Sequence, residues 1–194
     1  MREFFVLDNF FENPDEIRKR ALNYFRFYDA SQHPDPQHLL QFPGLRTNYI
    51  NLQDTELSQM IIEKQAAITN FITNNRVDWS HEDSRVWNTF SLTFKDINKQ
   101  LPQWHQDFIG ENDNKCEHYY AGVVYLNKNV RKGRGTKIRL SSGEIVNVEN
   151  KYNRFVIYNS KLLHTISRSF GWNKDNGRLV MSQFFSFNLK KINT

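Results

Sequence analysis

Three of the six histidines open the pattern His-x-Asp: His33/Asp35, His81/Asp83 and His105/Asp107. In extended chain, residues two apart project to the same side, so such an imidazole and carboxylate can converge on one cation. Context separates the three pairs. His33-Pro34-Asp35 lies in a proline-rich stretch, which suits substrate recognition or simple solvation. His81-Glu82-Asp83 reads as a turn in a polar connector. His105-Gln106-Asp107 follows Leu101-Pro102-Gln103-Trp104 and precedes an apolar strand. A third ligand must come from elsewhere, and His164, after the apolar run Arg154-Phe155-Val156-Ile157-Tyr158, is the candidate. Two neutral imidazoles and one carboxylate on one face of an octahedron hold Fe(II) while leaving positions open for O2 and a second ligand. The competing reading of His164 alone is a hydrogen-bonded structural histidine.

Arg178 opens the run Leu179-Val180-Met181-Ser182-Gln183-Phe184-Phe185. An arginine in such a strand is costly to bury unless it meets an anion, and its planar fork matches a carboxylate. Ser182 has the same strand parity and can add a hydroxyl. The alternative is an arginine that reaches solvent from the strand's beginning.

The elements that must position these groups change character along the chain. A short strand, Phe4 to Leu7, precedes Asn13-Pro14-Asp15-Glu16, a helix start with a capping side chain, a proline at the first position and two acids at the positive dipole end. Ile17, Ala21, Tyr24, Phe25 and Tyr28 predict one apolar helical face. Residues 31–48 read as loop. A second helix is predicted from Thr55 to about Asn74, with Leu57, Met60 or Ile61, Ile68, Phe71 and Ile72 inward. From residue 86 the period becomes that of strands: 86–94, 119–126, 136–140, 144–148, 154–158, 162–167 and 178–187, with Ser142-Gly143 turning a hairpin. The expectation is an α+β, mainly β, jelly roll with helices packed on one sheet.

At ~100–200 residues per domain, 194 residues make one domain, with 1–85 as a mostly helical layer and 86–187 as the β core. Sixteen Phe, eight Tyr and four Trp supply a core and exclude general disorder. The longest apolar stretch, Ala121 to Leu126, is far short of the ~20 residues of a membrane span. Asp8 interrupts the first apolar run too early for a signal peptide, and Cys116 is the only cysteine, so a reducing cytoplasm is expected. The lone cysteine also excludes a zinc site built from several thiolates. Net charge is +5, but Lys128, Arg131, Lys132, Arg134, Lys137 and Arg139 place +6 between 128 and 139, leaving −1 for the rest. That is a local basic loop, to be read first as a solvated hairpin tip, not a general nucleic-acid surface.

Taken in order, Trp104-His105-Gln106-Asp107, Ala121-Gly122-Val123-Val124-Tyr125-Leu126-Asn127, Gly133-Arg134-Gly135-Thr136, Asn153-Arg154-Phe155-Val156-Ile157-Tyr158, His164 and Arg178 resemble the Fe(II)/2-oxoglutarate-dependent dioxygenases. The likeness is to the prolyl-hydroxylase-like branch, including bacterial and phage-type members, and covers roughly the last 110 residues. Phe42-Pro43-Gly44-Leu45-Arg46-Thr47 is a looser likeness to phage-type members. The family's usual Gly-Gly-Thr reads Gly133-Arg134-Gly135-Thr136. The resemblance implies a double-stranded β-helix, iron on His105, Asp107 and His164, 2-oxoglutarate anchored by Arg178 with Tyr125 at its distal carboxylate, and O2 as oxidant. The implied substrate is a protein or peptide residue such as proline, or an amino-acid-like small molecule. Two rivals remain: a catalytically silent jelly-roll module whose 128–139 loop contacts nucleic acid or an acidic partner, and a zinc hydrolase, for which no general base is evident.

Overall fold

The computed structural model describes residues 3–29, 31–34, 42–74, 77–78, 85–99, 103–107 and 118–190. Strand β1 (Phe4–Leu7) leads into helix α1 (Pro14–Asn23), where the Asn13 side chain accepts from the Glu16 N–H at 3.3 Å and Pro14 takes the first helical turn. The helix ends sooner than the apolar spacing predicts. Tyr24 is exposed, and Phe27–Tyr28 form strand β2 against β3 (Leu45–Thr47), inside the stretch 31–48 that reads as loop. Aromatic residues at 27 and 28 suit a pleated surface, and tertiary pairing overrides the helical period there.

Asp54 caps helix α2 (Thr55–Ile72), accepting from Leu57 N–H at 2.9 Å. Its buried face runs through Leu57, Ser58, Ile61, Gln65 and Thr69, and Phe71, expected inward, is exposed. Gln65 explains the rotation. It donates to Gln183 at 2.6 Å and Asn88 at 3.1 Å, so the helix turns its amide, not Phe71, toward the sheet.

The strands that follow are β4 (Val77–Asp78), β5 (Arg85–Thr93), β6 (His118–Tyr125), β7 (Thr136–Arg139), β8 (Ile145–Val148), β9 (Phe155–Asn159), β10 (His164–Ile166) and β11 (Arg178–Leu189). Among the described residues they form two sheets. The major one runs β1-β9-β6-β11-β5-β3-β2, with β4 also pairing β11, and the minor one runs β10-β7-β8. The first 85 residues are therefore more than a helical layer, since β1 to β4 join the major sheet.

Strand alternation divides the core. Leu179, Met181, Phe185 and Phe187 of β11 face the helices, packing with Ile17, Ala21, Leu57, Ile61, Phe90 and Phe155. Val180, with Ala121, Tyr125, Val156 and Tyr158, faces the minor sheet's Ile138 and Val148. Burying each such large side chain contributes ~1.5–3 kcal/mol. The arrangement is a double-stranded β-helix with helices on the outer face of its larger sheet, and its opening lies between the sheets.

The β7–β8 hairpin needs one glycine for space. A Cβ on Gly135 would lie 1.7 Å from the Val148 carbonyl oxygen, and the Gly135 carbonyl accepts from Ser167 N–H at 3.0 Å. Only glycine lets the backbone approach that closely immediately before Thr136.

Candidate metal and anion site

His105 and His164 lie on neighbouring backbones that exchange two hydrogen bonds, His105 N–H to His164 O at 3.1 Å and His164 N–H to His105 O at 2.9 Å. This bridge fixes the 103–107 segment against β10. Asp107 is then held by its own N–H, which donates to Ser160 O at 3.0 Å. The three side chains converge, with a ligand atom of each lying within 4.8 Å of the others. His164 Nε2 is 3.1 Å and His105 Nε2 3.8 Å from the Asp107 carboxylate.

The tautomers follow from the partners. His105 Nδ1 lies 3.0 Å from Gln103 O, and His164 Nδ1 3.1 Å from Leu162 O. A carbonyl only accepts, so both Nδ1 atoms carry a proton and both Nε2 atoms face the cluster; without an ion His164 Nε2 donates to the Asp107 carboxylate, and a bound ion would take the place of that proton. This is the donor set a divalent metal requires, two neutral imidazoles and one carboxylate, so the residues fit it.

Electrostatics in the cluster are those of a coupled acid and base. Burial alone would depress the His164 imidazolium, but the Asp107 carboxylate outweighs it and raises the pKa above the ordinary 6.5. Burial works the other way on Asp107, yet His164 and His105 hold its carboxyl below the usual 3.8. His105 is pushed down, by burial and then by His164. The Tyr158 hydroxyl donates to Asp107 at 3.5 Å and, being buried beside that carboxylate, is pushed well above 10.

The opposite wall belongs to the major sheet. Arg178, paired with Thr93 in register, sends a buried guanidinium into the cavity, where Nη2 donates to Thr136 Oγ1 at 3.5 Å. Its Nε has no hydrogen-bond partner among the described residues. A buried charge with an unsatisfied donor is what a carboxylate would complete. Thr136 Oγ1 also accepts from the Tyr125 hydroxyl at 2.7 Å, and the Arg178 guanidinium carbon lies 5.6 Å from the Tyr125 ring centroid, so Tyr125 backs both Thr136 and Arg178 without lining the cavity. Ser182 does line it, with Oγ 2.9 Å from Ser91 Oγ.

Arg46 on β3 also lines the cavity, buried, with Nε donating to Ser91 Oγ at 3.3 Å. The reading of chemistry from sequence missed Arg46, Thr136 and Tyr158. Thr136 was within reach through its place after Gly135. Arg46 and Tyr158 lie in stretches that carry the family likeness, Phe42 to Thr47 and Asn153 to Tyr158, but residue type and spacing assign neither a role.

Of the other pairs, His33 lies elsewhere, its Nε2 donating to Thr47 O at 3.2 Å and its ring against Tyr28. Asp35, His81, Asp83 and Cys116 lie outside the described residues. Lys128, Arg131, Lys132 and Arg134 do not line the cavity. Lys128 is paired with Asp15 at 2.7 Å and Arg134 donates to Ser169 O at 3.3 Å and stacks on Phe170, so these two residues lean on α1 and the 169–170 segment.

Fold and cluster define the class: a double-stranded β-helix with a two-histidine, one-carboxylate group at its opening. Among solved structures, the chain is similar to a prolyl-4-hydroxylase of Pseudomonas putida, at 15% identity over 99% of this chain and 95% of that one, with a TM-score of 0.61. It is also similar to the non-haem α-ketoglutarate-dependent epimerase SnoN of nogalamycin biosynthesis (10% identity, 98% and 80% covered, TM-score 0.65). A third is HygX of Streptomyces hygroscopicus, solved with nickel, 2-oxoglutarate and hygromycin B (12%, 95% and 82%, TM-score 0.59). No protein-family model matches the sequence, and no curated protein matches it. At these identities the likeness establishes the fold, and the activity has to be argued from the site. No helix among the described residues is long and apolar enough to cross a membrane.

Proposed function

We propose that the chain is an Fe(II)- and 2-oxoglutarate-dependent oxygenase that hydroxylates a C–H bond of a peptide residue, such as proline, or of an amino-acid-like small molecule. The observation that carries this reading is the pair of imidazoles whose Nδ1 protons are given to carbonyls, leaving both Nε2 atoms and Asp107 grouped opposite the buried Arg178. His105, Asp107 and His164 hold the metal. Arg178 receives the distal carboxylate of 2-oxoglutarate, with the Thr136 hydroxyl beside it and Tyr125 holding Thr136. When bound, the iron supplies activation of O2, one atom of which goes to the substrate carbon and the other to succinate as 2-oxoglutarate loses CO2. Val123, Val180, Ile166 and Phe184 give the cavity an apolar lining beside these groups.

The test is anaerobic addition of Fe(II) and 2-oxoglutarate to the purified protein. A visible charge-transfer band requiring both additions is expected, followed in air by succinate formation. Peptides and small molecules are then screened by mass spectrometry for a 2-oxoglutarate-dependent gain of one oxygen atom. Absence of the band and of succinate would leave the silent binding module as the better reading.

A further inference from the structure

The basic segment takes no part in the proposed reaction, and one end of it is joined by an arginine from another strand. β10 and β7 pair Ile166 with Thr136, both of which line the cavity, and Ser167 N–H donates to Gly135 O at 3.0 Å. One step further, that register sets Arg168 opposite Arg134, about 7 Å along the strands from the cavity lining. Like charges directly opposite each other on neighbouring strands lower stability, so the placement calls for a reason. Arg131 precedes them on the turn into β7 and, like Arg168, is exposed. Burial and the charges of Arg168 and Arg131 push the Arg134 guanidinium below its ordinary 12.5. The carboxylate of the same turn region, Glu149, accepts from the Gly133 N–H at 2.9 Å.

The same corner presents two aromatic rings, each faced by a cation. The Arg134 guanidinium carbon lies 5.5 Å from the Phe170 ring centroid, and Lys95 Nζ lies 5.1 Å from that of Trp172. Trp172 is 71% exposed, yet the turn that carries it is tied down. The Asn176 side chain accepts from Trp172 N–H at 2.8 Å, and Lys95 N–H donates to Gly171 O at 2.9 Å. The Ser169 backbone exchanges two bonds with the Asn98 side chain, and its hydroxyl donates to Thr93 Oγ1 at 2.7 Å. Arg134 Nη1 donates to the Ser169 carbonyl at 3.3 Å, which holds the guanidinium beside Phe170. A wet indole on a rigid turn, next to guanidiniums whose positions are set by backbone bonds, is preorganised for a ligand.

A ligand that suits both features carries anions at intervals along a chain, with flat rings between them. Single-stranded nucleic acid has both: its phosphates meet guanidiniums, and its unpaired bases stack on aromatic side chains. The carboxylates of an acidic peptide supply the anions but no flat face for Trp172, and a duplex keeps its bases stacked on one another. We propose that Arg131, Arg134 and Arg168, with Phe170 and Trp172, form a docking surface for single-stranded nucleic acid at the end of the minor sheet, beside the cavity. The basic segment is then more than a solvated hairpin tip, because Arg168 and the 169–172 segment complete it. The surface stands whatever reaction the cavity performs, so the inference does not rest on the oxygenase reading.

The experiment follows the fluorescence anisotropy of a labelled oligothymidylate of about 12 nucleotides titrated with the whole chain at about 50 and 200 mM salt. Three phosphate contacts, each worth about −0.7 in the slope of log affinity on log salt, lower the affinity roughly twentyfold between the two. Arg168→Gln should weaken binding and flatten that slope by about 0.7. Trp172→Ala should weaken binding about fivefold or more at both salt concentrations with the slope unchanged, and Trp172→Tyr should restore it. Both side chains are exposed, so the melting temperature of each variant should match the wild type, and competition on the wild type decides wherever a variant melts early. Unlabelled oligothymidylate should displace the label far better than inorganic polyphosphate, polyglutamate or the oligothymidylate–oligoadenylate duplex at equal charge. Absence of binding at the lower salt overturns the inference. So does equal competition by polyphosphate or polyglutamate, which makes the corner a general anion patch, or by the duplex. A slope that folded Arg168→Gln leaves unchanged, or an affinity that folded Trp172→Ala leaves unchanged, overturns it as well.

Discussion

The two walls of the cavity are built by different means. On the major-sheet wall, Arg178, Ser182 and Ser91 stand on strands with a nine-residue register between β11 and β5, and β11 is flanked on its other side by β6. Their directions are fixed by a long backbone ladder that would persist if any one side chain were changed. The opposite wall has three-residue β10 and the 103–107 segment, joined to each other by the two bonds between His105 and His164. There the side chains take their orientation from individual bonds to Gln103, Leu162 and Ser160. A ladder can carry a desolvated charge that waits for its ion. A short bridge suffices for imidazoles because each has a neutral form that burial does not penalise. The two walls meet in hydrogen bonding at Thr136, which accepts from both Arg178 and Tyr125. If this division is right, metal binding and co-substrate anion binding should separate under mutation.

The largest effect should come from the short-bridge wall. His164→Ala and Asp107→Ala are each expected to weaken Ni(II) or Fe(II) binding by more than the ten- to hundredfold that losing an outer-shell partner costs, measured by calorimetry. His33→Ala should leave metal binding intact, because its Nε2 is given to Thr47 O away from the cavity. The pH dependence has two opposite signs. His164 is raised above 6.5, so its contact with Asp107 stabilises the metal-free protein fully below that value, and the contribution is lost as pH rises through the folded-state pKa. Asp107 is lowered below 3.8, so the same contact is lost as pH falls through its folded value. Metal binding requires the neutral imidazole, and its affinity should rise with pH over the range in which the metal-free pair loses stability. Asp107→Asn should abolish both stability trends, while the weakened metal affinity still rises with pH as the remaining imidazoles lose their protons.

Gly135→Ala tests whether the walls stay coupled through Thr136. The new Cβ would overlap the Val148 carbonyl, and relieving it has to displace β7 from β8. We expect a loss of about 3 kcal/mol, a melting-temperature drop of roughly 6–12 °C for a chain of this size. Because Thr136 moves with Gly135, 2-oxoglutarate affinity should fall more than metal affinity. Equal losses would mean that the walls are one unit.

Arg178→Lys keeps the charge and removes the fork. The apparent 2-oxoglutarate constant should rise ten- to hundredfold, about 1.4–2.8 kcal/mol, with metal affinity little changed. If the metal constant moves in parallel, the major-sheet wall is doing more than holding an anion.

How much of this was legible in the sequence follows from the same division. β1, α2 and the strands from β5 onward could be read because periodicity and caps are local. The turn from α1 into β2 could not, since Tyr24, Phe25 and Tyr28 continue a helical period and only the partner strand β3, some twenty residues away, makes 27–28 a strand. Phe71 was misplaced because a buried amide, Gln65, is invisible to an apolar stripe. His105, Asp107, His164 and Arg178 stood out because each is an expensive residue beside apolar strands. Arg46 did not, because Leu45-Arg46-Thr47 lies in a proline- and glycine-marked stretch where an arginine calls for no explanation. Its described contacts include Ser91 and Phe184, far along the chain, as well as the neighbouring Phe42 ring.

Tyr125→Phe is the smallest change and the most discriminating one for the contact between the walls. The resemblance places Tyr125 at the distal carboxylate of the co-substrate, while the structure directs its hydroxyl to Thr136 Oγ1 at 2.7 Å, with Val148 O at 3.5 Å. Removing that hydroxyl leaves the ring packed between the sheets and takes one donor from Thr136. Thr136 then has only the longer contact from Arg178, and its hydroxyl can rotate. One neutral hydrogen bond, about 0.5–1.5 kcal/mol, sets the scale, so 2-oxoglutarate affinity should fall roughly two- to tenfold and metal affinity should not change. Thr136→Val removes the same hub from the other side, and the double variant should be no worse than Thr136→Val alone if Tyr125 acts through Thr136. Additive losses in the double variant would instead mean that Tyr125 acts apart from Thr136, through the Arg178 guanidinium beside its ring or on the co-substrate itself, as the resemblance implies.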